Sequence, residues 1–291
     1  MARFDTLVSR LSLRGRVEVL SGLHIGSGRT LAVEESEEPV AKDFLGHPVI
    51  PGSGFKGALR NQLEALLRGL DGHSLWSCDP LEAPCPRPPD DFEPGLKDRK
   101  KERERHWYRV VRDWDADRLL AGSCTVCRLF GSQWFGSKVS IPDLPVVGGT
   151  WTNRNYQHRE GTAIERESDT AAEARRVEFE VVPQGTSFDL EILIENPQAE
   201  PGSSDADALG LLLIGLDAFR AGWATLGGKR AFGLGRVAVH LDEATVVTAD
   251  QIISGAAVSP LRGPRLDEFL NQHRVRPTAT PSEGTHVPSA S

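Results

Sequence analysis

The stretch RRVEFEVVPQGTSFDLEILI, residues 175–194, decides how the fold is read. Two runs that alternate apolar with charged residues flank the turn Pro183-Gln184-Gly185-Thr186, a pattern that predicts a β-hairpin. Outward from it, LRGRVEVL at 13–20 alternates as a further strand, and ALGLLLIGLDAFRA at 208–221 is an almost wholly apolar helix that has to be buried. LGGKRAFGLGRVAVHL then runs from a glycine loop into a last strand at 235–241. With the helix described next, the order strand, helix, strand pair, helix, strand predicts an α+β fold of ferredoxin-like type and leaves the strand order open.

That helix starts in HPVIPGSGFKGALRNQLEALL, residues 47–67. Phe55, Leu59, Leu63, Leu66 and Leu67 fall on one side at helical spacing. Lys56 and Arg60 are four apart and share a neighbouring face, while Ser53 is placed to cap the start. Free backbone N–H groups beside two cations suit a phosphate, and the glycines allow close backbone approach. An ordinary capped helix with solvated charges has the same signature, so the stretch alone leaves both readings open.

At 291 residues and 39% hydrophobic content, the chain can bury a sizeable core as one elaborated domain or two small ones. No run approaches the roughly 20 apolar residues of a membrane helix. MARFDTLVSRLSLRG lacks the apolar block of a signal peptide, so a cytoplasmic location without membrane partners is expected. The formal charge of −7 weighs only mildly against nucleic acid, because distribution decides and totals do not. Acids gather at 34–38 and 195–207. Residues 97–113 hold eight Lys or Arg against four acids, a balance that suits a solvated helical insertion better than a dedicated RNA patch.

From 69 to 123 the chain is irregular and rich in Pro and charge; it carries Cys78 and Cys85, and the other two cysteines of the chain, Cys124 and Cys127 in CTVC, follow directly. A C-x-x-C beside another close pair reads as a tetrahedral Zn(II) site, structural because four thiolates leave no open position. The wider spacing of the first pair keeps a redox C-x-x-C and four unrelated thiols as alternatives.

GLHIGSG, PVIPGSGFKGALR, CTVCRLFGS, REGTAIERESDTAAEARRVEFEVVPQGTSF and LGGKRAFGLGRV, spread in that order from 22 to 237, resemble the CRISPR-associated RAMP superfamily. The similarity is closest to the backbone subunit that repeats along type III effector complexes. It implies an RRM-like (ferredoxin-like) core with a zinc-bearing insertion at 70–150 and a thumb-like β-hairpin at 155–176. Together these make one elaborated domain over 1–264, followed by a disordered tail at 265–291 in which RLDEFLNQH is a candidate short helix. It also implies CRISPR RNA, complementary target RNA, further copies in a filament, and large multidomain and small helical subunits as partners. The guide-RNA phosphates would meet Ser53, Lys56 and Arg60, with His24, Ser27, Lys229 and Arg230 bordering the groove and Arg166 contacting the backbone from the thumb.

In the family an aspartate before a P-V-x-K-D segment drives Mg(II)-dependent cleavage of target RNA by its own 2′-hydroxyl. Here ESEEPVAKD places Glu37 at that position, one methylene longer, with Glu34, Glu35 and Glu38 beside it. A displacement near 1 Å costs about a hundredfold in rate. Two expectations therefore stand: a guide-RNA scaffold that also cuts through Glu37, and a non-catalytic scaffold whose sister subunits cut. A processing endoribonuclease with His24 as general base lacks a second motif histidine, and neither GSGR nor LGGKR fits a nucleotide phosphate loop.

Overall fold

The computed structural model describes residues 6–27, 38–70, 75–89, 92, 99–151, 156–165, 170–197 and 208–274. In chain order its elements are β1 (Ser9–Val19), β2 (Val49–Ile50), α1 (Gly52–Arg68), α2 (Lys100–Arg112), α3 (Ala116–Ala121), α4 (Thr125–Phe130), β3 (Val139–Ser140), β4 (Leu144–Pro145), β5 (Gln157–Glu165), β6 (Thr170–Val181), β7 (Ser187–Glu195), α5 (Ala208–Arg220), β8 (Val237–Thr248), α6 (Ala249–Ser254) and α7 (Pro264–Gln272).

Four strands form an antiparallel sheet in the order β3-β7-β1-β8. With α1 between β1 and β3, and α5 between β7 and β8, this is the split β-α-β arrangement of a ferredoxin-like core. Alternation along β1 sends Leu11, Leu13, Val17 and Val19 inward, where each is fully buried. The opposite face of the sheet carries Arg10, Arg14 and Arg16, which meet Glu195, Glu191 and Asp242 across the neighbouring strands at 2.9, 2.8 and 3.3 Å. At Gly15 the register to β8 shifts, and an added Cβ would lie 1.9 Å from the His240 carbonyl oxygen, so only glycine lets the strands approach there.

The two predicted helices cover the inner face. α1 buries Phe55, Leu59, Leu63 and Leu67, and Leu66 packs half-buried at the edge of the same cluster. Phe55 stacks on Phe219 of α5 at 5.7 Å, and Gly215 lets Leu59 close against α5.

The predicted hairpin at 175–194 does not form. Its two strands exist, but β7 pairs with β1 while β6 pairs with β5 in a separate two-stranded sheet. The edge position of the main sheet belongs to the two residues of β3. Phe179 and Val181 of β6 leave the main core and pack with Leu234 in a small cluster of their own. Alternation fixes which residues face a core; it does not say which strand is the partner. The antiparallel β5–β6 pair overlaps the segment expected to be the thumb, and the connection at 166–169 lies outside the described residues.

The domain boundary at 264 also moves. Residues 264–272 form α7, with Leu266 and Leu270 buried against the main core, so this stretch belongs to the folded body and not to a tail. Residues 275–291 lie outside the described residues. The basic segment 97–113 is largely the helix α2, with Lys101, Glu102, Arg105, Arg109 and Arg112 exposed. Trp107 anchors it, donating its Nε1–H to the Pro86 carbonyl at 2.6 Å and meeting Phe92 and Trp114 edge-on.

Candidate metal centre and nucleic-acid interface

The four cysteines converge. Their Sγ atoms all lie within 4.8 Å of one another, with Cys78 at 3.6 Å from Cys124 and 3.7 Å from Cys127, and all four residues are buried. All four are free thiols, so no disulfide accounts for the cluster. Sulfurs on a tetrahedron around one ion at about 2.3 Å would stand about 3.8 Å apart, close to these separations. Cys124 caps α4 and accepts the Cys127 backbone N–H at 3.3 Å, and Cys85 accepts the Cys124 N–H at 3.3 Å. Hydrogen bonds from Cys127, Cys78 and Cys85 push the Cys124 thiol down towards the thiolate. The donor set and spacing fit a soft divalent metal, and zinc is compatible with them.

The start of α1 differs from the sequence expectation. Its N-cap is Pro51, and Ser53 lies inside the first turn, exposed, and caps nothing. The Gly52 N–H instead donates to Asp143 Oδ1 at 2.8 Å. An added Cβ at Gly52 would stand 2.0 Å from the Ile141 carbonyl oxygen, so this glycine admits the chain that leaves the insertion. Neither Lys56 nor Arg60 points outward. Lys56 donates to the Val139 carbonyl at 2.9 Å, and burial followed by the neighbouring Arg60 charge holds its amine below the usual lysine range. Arg60 donates from Nε to Glu64 at 2.8 Å, from Nη1 to the Gly131 carbonyl at 3.2 Å and from Nη2 to Cys127 Sγ at 3.5 Å.

A second cluster gathers the other sequence candidates. His24 is buried, its Nδ1 2.7 Å from the Glu180 carbonyl and its ring edge-on to Phe179. It therefore supports the surface from beneath and does not line it, and a buried imidazole is poorly placed as a general base for a polymer. The glycine loop folds over it: Gly228 N–H donates to the His24 carbonyl at 2.8 Å, and Gly227, at φ +80°, sits where a Cβ would be 2.3 Å from that same oxygen. Lys229, in the left-handed region at φ 57°, places Nζ 2.6 Å from Glu38 Oε2 and 4.8 Å over the Phe179 ring. Arg230 is exposed, with Nε turned to the Gly227 carbonyl. Ser27 is exposed nearby in chain order, bonding the Pro39 carbonyl.

Glu38 marks where the acidic loop rejoins the described chain. It bridges to β6 opposite Phe179: its N–H donates to the Glu178 carbonyl at 3.3 Å and its carbonyl accepts the Glu180 N–H at 3.1 Å. Glu37, Glu34, Glu35 and Arg166 lie outside the described residues. Sequence reasoning passed over Glu180, a carboxylate 5% exposed inside a strand pattern. It accepts Lys42 Nζ at 3.0 Å and the Val40 N–H at 3.1 Å, fixing the chain just after the acidic loop. A glutamate within the apolar run FEVV was the available signal, since a charge buried there demands a partner. The site thus joins four separate segments: the first turn, the end of the acidic loop, the base of β6 and the glycine loop.

The sequence model of the RAMP superfamily matches residues 16–238. The protein named CRISPR system Cms endoribonuclease Csm3 from Enterococcus italicus is 24% identical over 248 residues, covering 84% of this chain and 96% of that protein. One of the same name from Methanocaldococcus jannaschii is 40% identical over 68 residues, 23% of this chain and 26% of that protein. With the match running from within β1 into β8 and so enclosing both clusters, the chain belongs to the RAMP superfamily.

Proposed function

We propose that this protein is the repeated backbone subunit of a type III CRISPR interference complex, holding CRISPR RNA along its phosphates and presenting target RNA for cleavage. The observation that carries the reading is similarity along nearly the full length of a protein named as a Csm3 endoribonuclease. The second cluster supports it: Lys229 lies over Phe179 of β6 with exposed Arg230 next to it in the glycine loop, and exposed Ser27 bonds the Pro39 carbonyl, next in the chain to Lys229's partner Glu38. Such groups hold phosphate without reading sequence, as arbitrary guides require. Exposed Ser53 extends the same role to the start of α1, and Arg166 acts from the thumb.

Target cutting runs through Glu37 with Mg(II) on this reading, and the anchoring of Glu38 to Lys229 and Phe179 bears on it, since it fixes one end of the acidic loop. The second reading, a non-catalytic scaffold, is favoured by the glutamate that stands where the family has aspartate. Zn(II) in the cysteine cluster is structural. Partners are the CRISPR RNA, its target, further copies of this chain, a large multidomain subunit and small helical subunits, with acidic faces meeting basic ones along the filament. The setting is cytoplasmic; among the described residues no helix is long and apolar enough to cross a membrane.

The test is to assemble the complex on its guide and incubate it with labelled complementary RNA and Mg(II), comparing wild type with Glu37→Ala. Evenly spaced cuts that vanish in the variant are expected. Cuts that persist at every site assign the chemistry to sister subunits, and an assembly without RNA at this subunit refutes the backbone role.

A further inference from the structure

Among the cations of the α1 start, Arg60 is the one that reaches the sulfur cluster. Its guanidinium faces three groups at once: the Glu64 carboxylate, the carbonyl of Gly131, and Cys127 Sγ. Cys85 and Cys124 each accept a backbone N–H, and for Cys127 the donor is this side chain from another element. Four thiolates around a divalent ion leave a net charge of −2 in a buried place, which is costly without a compensating cation. Glu64, one helical turn on and 6% exposed, holds the guanidinium plane in position.

We propose that Arg60 is a positioning residue of the metal centre, which supplies counter-charge and an N–H donor to the Cys127 thiolate and so ties α1 to the cysteine insertion. This rests on the reading of the cluster as a zinc site. The Gly131 bond closes the arrangement: Gly131 N–H donates to the Cys127 carbonyl at 2.8 Å, so Arg60 grips both ends of the turn that carries the ligand. Lys56, one turn earlier, bonds the Val139 carbonyl, and Asp143 holds the Gly52 N–H. The face of α1 that carries Lys56 and Arg60 is therefore packed against the β3 edge of the core at Lys56 and against the metal-bearing insertion at Arg60.

The experiment measures zinc content and zinc affinity of the full chain by competition with a chromogenic chelator, and records the thiolate-to-metal absorption after Co(II) substitution. Wild type is expected to hold one equivalent. Arg60→Gln is expected to bind zinc about 10- to 100-fold more weakly, the usual effect of removing an outer partner of a ligand, with a shifted Co(II) spectrum. Leu59→Ala, on the same helix but facing α5, is expected to lower stability and leave zinc affinity unchanged. Arg60→Lys keeps the charge without the planar fork and is expected to fall between; it carries the test should Arg60→Gln not fold. Zinc affinity and spectrum unaltered in the Arg60 variants overturn the proposal, as does an equal loss in Leu59→Ala. A wild-type chain that takes up no more zinc than Cys124→Ser refutes the zinc reading itself, a result distinct from either.

Discussion

Lys56 and Arg60 on α1 and Lys229 and Arg230 in the glycine loop look alike in the sequence, since each pair follows glycines and precedes an apolar run. In the fold they have opposite fates. The α1 pair is half-buried and bonded to the carbonyls of Val139 and Gly131 and to a cysteine sulfur. In the loop, Arg230 is left exposed, and Lys229 leans on one carboxylate across an aromatic ring. Helical spacing says which side chains share a face; what covers that face arrives 71 and 83 residues later, with Gly131 and Val139. A cation's role is set by the segment that reaches it last.

The largest expected effect comes from removing the metal that the insertion is proposed to hold. Chelation, or Cys124→Ser, should cost more than about 4 kcal/mol and lower the melting temperature by about 10 °C. Calorimetry checks it, and unchanged melting would mean that α1 and its cations stand without the cluster. Next is one substitution made at two places on α1. Gly52→Ala forces a Cβ to within 2.0 Å of the Ile141 carbonyl oxygen and should destabilise by about 2–3 kcal/mol, whereas Gly57→Ala meets open space and should stabilise by up to about 1 kcal/mol. Equal effects in denaturant titrations would dissolve the distinction between a clamped helix start and a free surface.

On the other side of the comparison, Lys229→Ala loses its partner Glu38 and should cost about 1 kcal/mol, while Arg230→Ala should stay within about 0.5 kcal/mol. Both should reduce the salt dependence of RNA binding by about one ion each, read as the slope of affinity against salt. If Lys56→Ala reduces that slope as much as Lys229→Ala does, the two pairs are not different in kind. The smallest effect is at Tyr156, whose hydroxyl donates to the Gly46 carbonyl at 2.7 Å. Burial, then the carboxylates of Glu180 and Asp43, push its phenol above the ordinary range. The neutral phenol is favoured in the folded state, so its contribution is present below the unfolded value near pH 10 and is lost as pH rises through the folded one. An absorbance titration should show one of the two tyrosines ionising late, and Tyr156→Phe should remove that phase at a cost of about 0.5–1 kcal/mol.

The parts of this molecule with strong periodicity were readable in advance. The apolar stripe of α1, the buried α5, the strands β1 and β8 and the gathering of four cysteines all follow from spacing or residue type. What could not be read was partnership. β3 is two residues, Val139 and Ser140, too short to show any alternation, yet it takes the sheet position that the longer, better-patterned β6 was expected to fill. Ser53 has the chemistry of a cap, but Asp143, ninety residues on, holds the Gly52 N–H. RLDEFLNQH reads as a short helix, but the Pro- and Ser-rich stretch that follows it gave no sign that Leu266 and Leu270 pack on the core.

The chain along the outer side of β7 bears on how copies can crowd together. Glu195 N–H donates to the Lys138 carbonyl, Val139 and Ser140 pair with Ile194 and Leu193, and the strand pairing resumes at Val146 and Val147 against Phe188 and Ser187. Between these points lie Pro142 and Pro145, which have no N–H to offer, and exposed Asp143. A sheet bordered this way gives an incoming strand no continuous ladder to copy. For a protein proposed to line up many times along one RNA, that border makes this margin of the sheet a poor template for strand addition at high local concentration and leaves the β8 edge as the longer one.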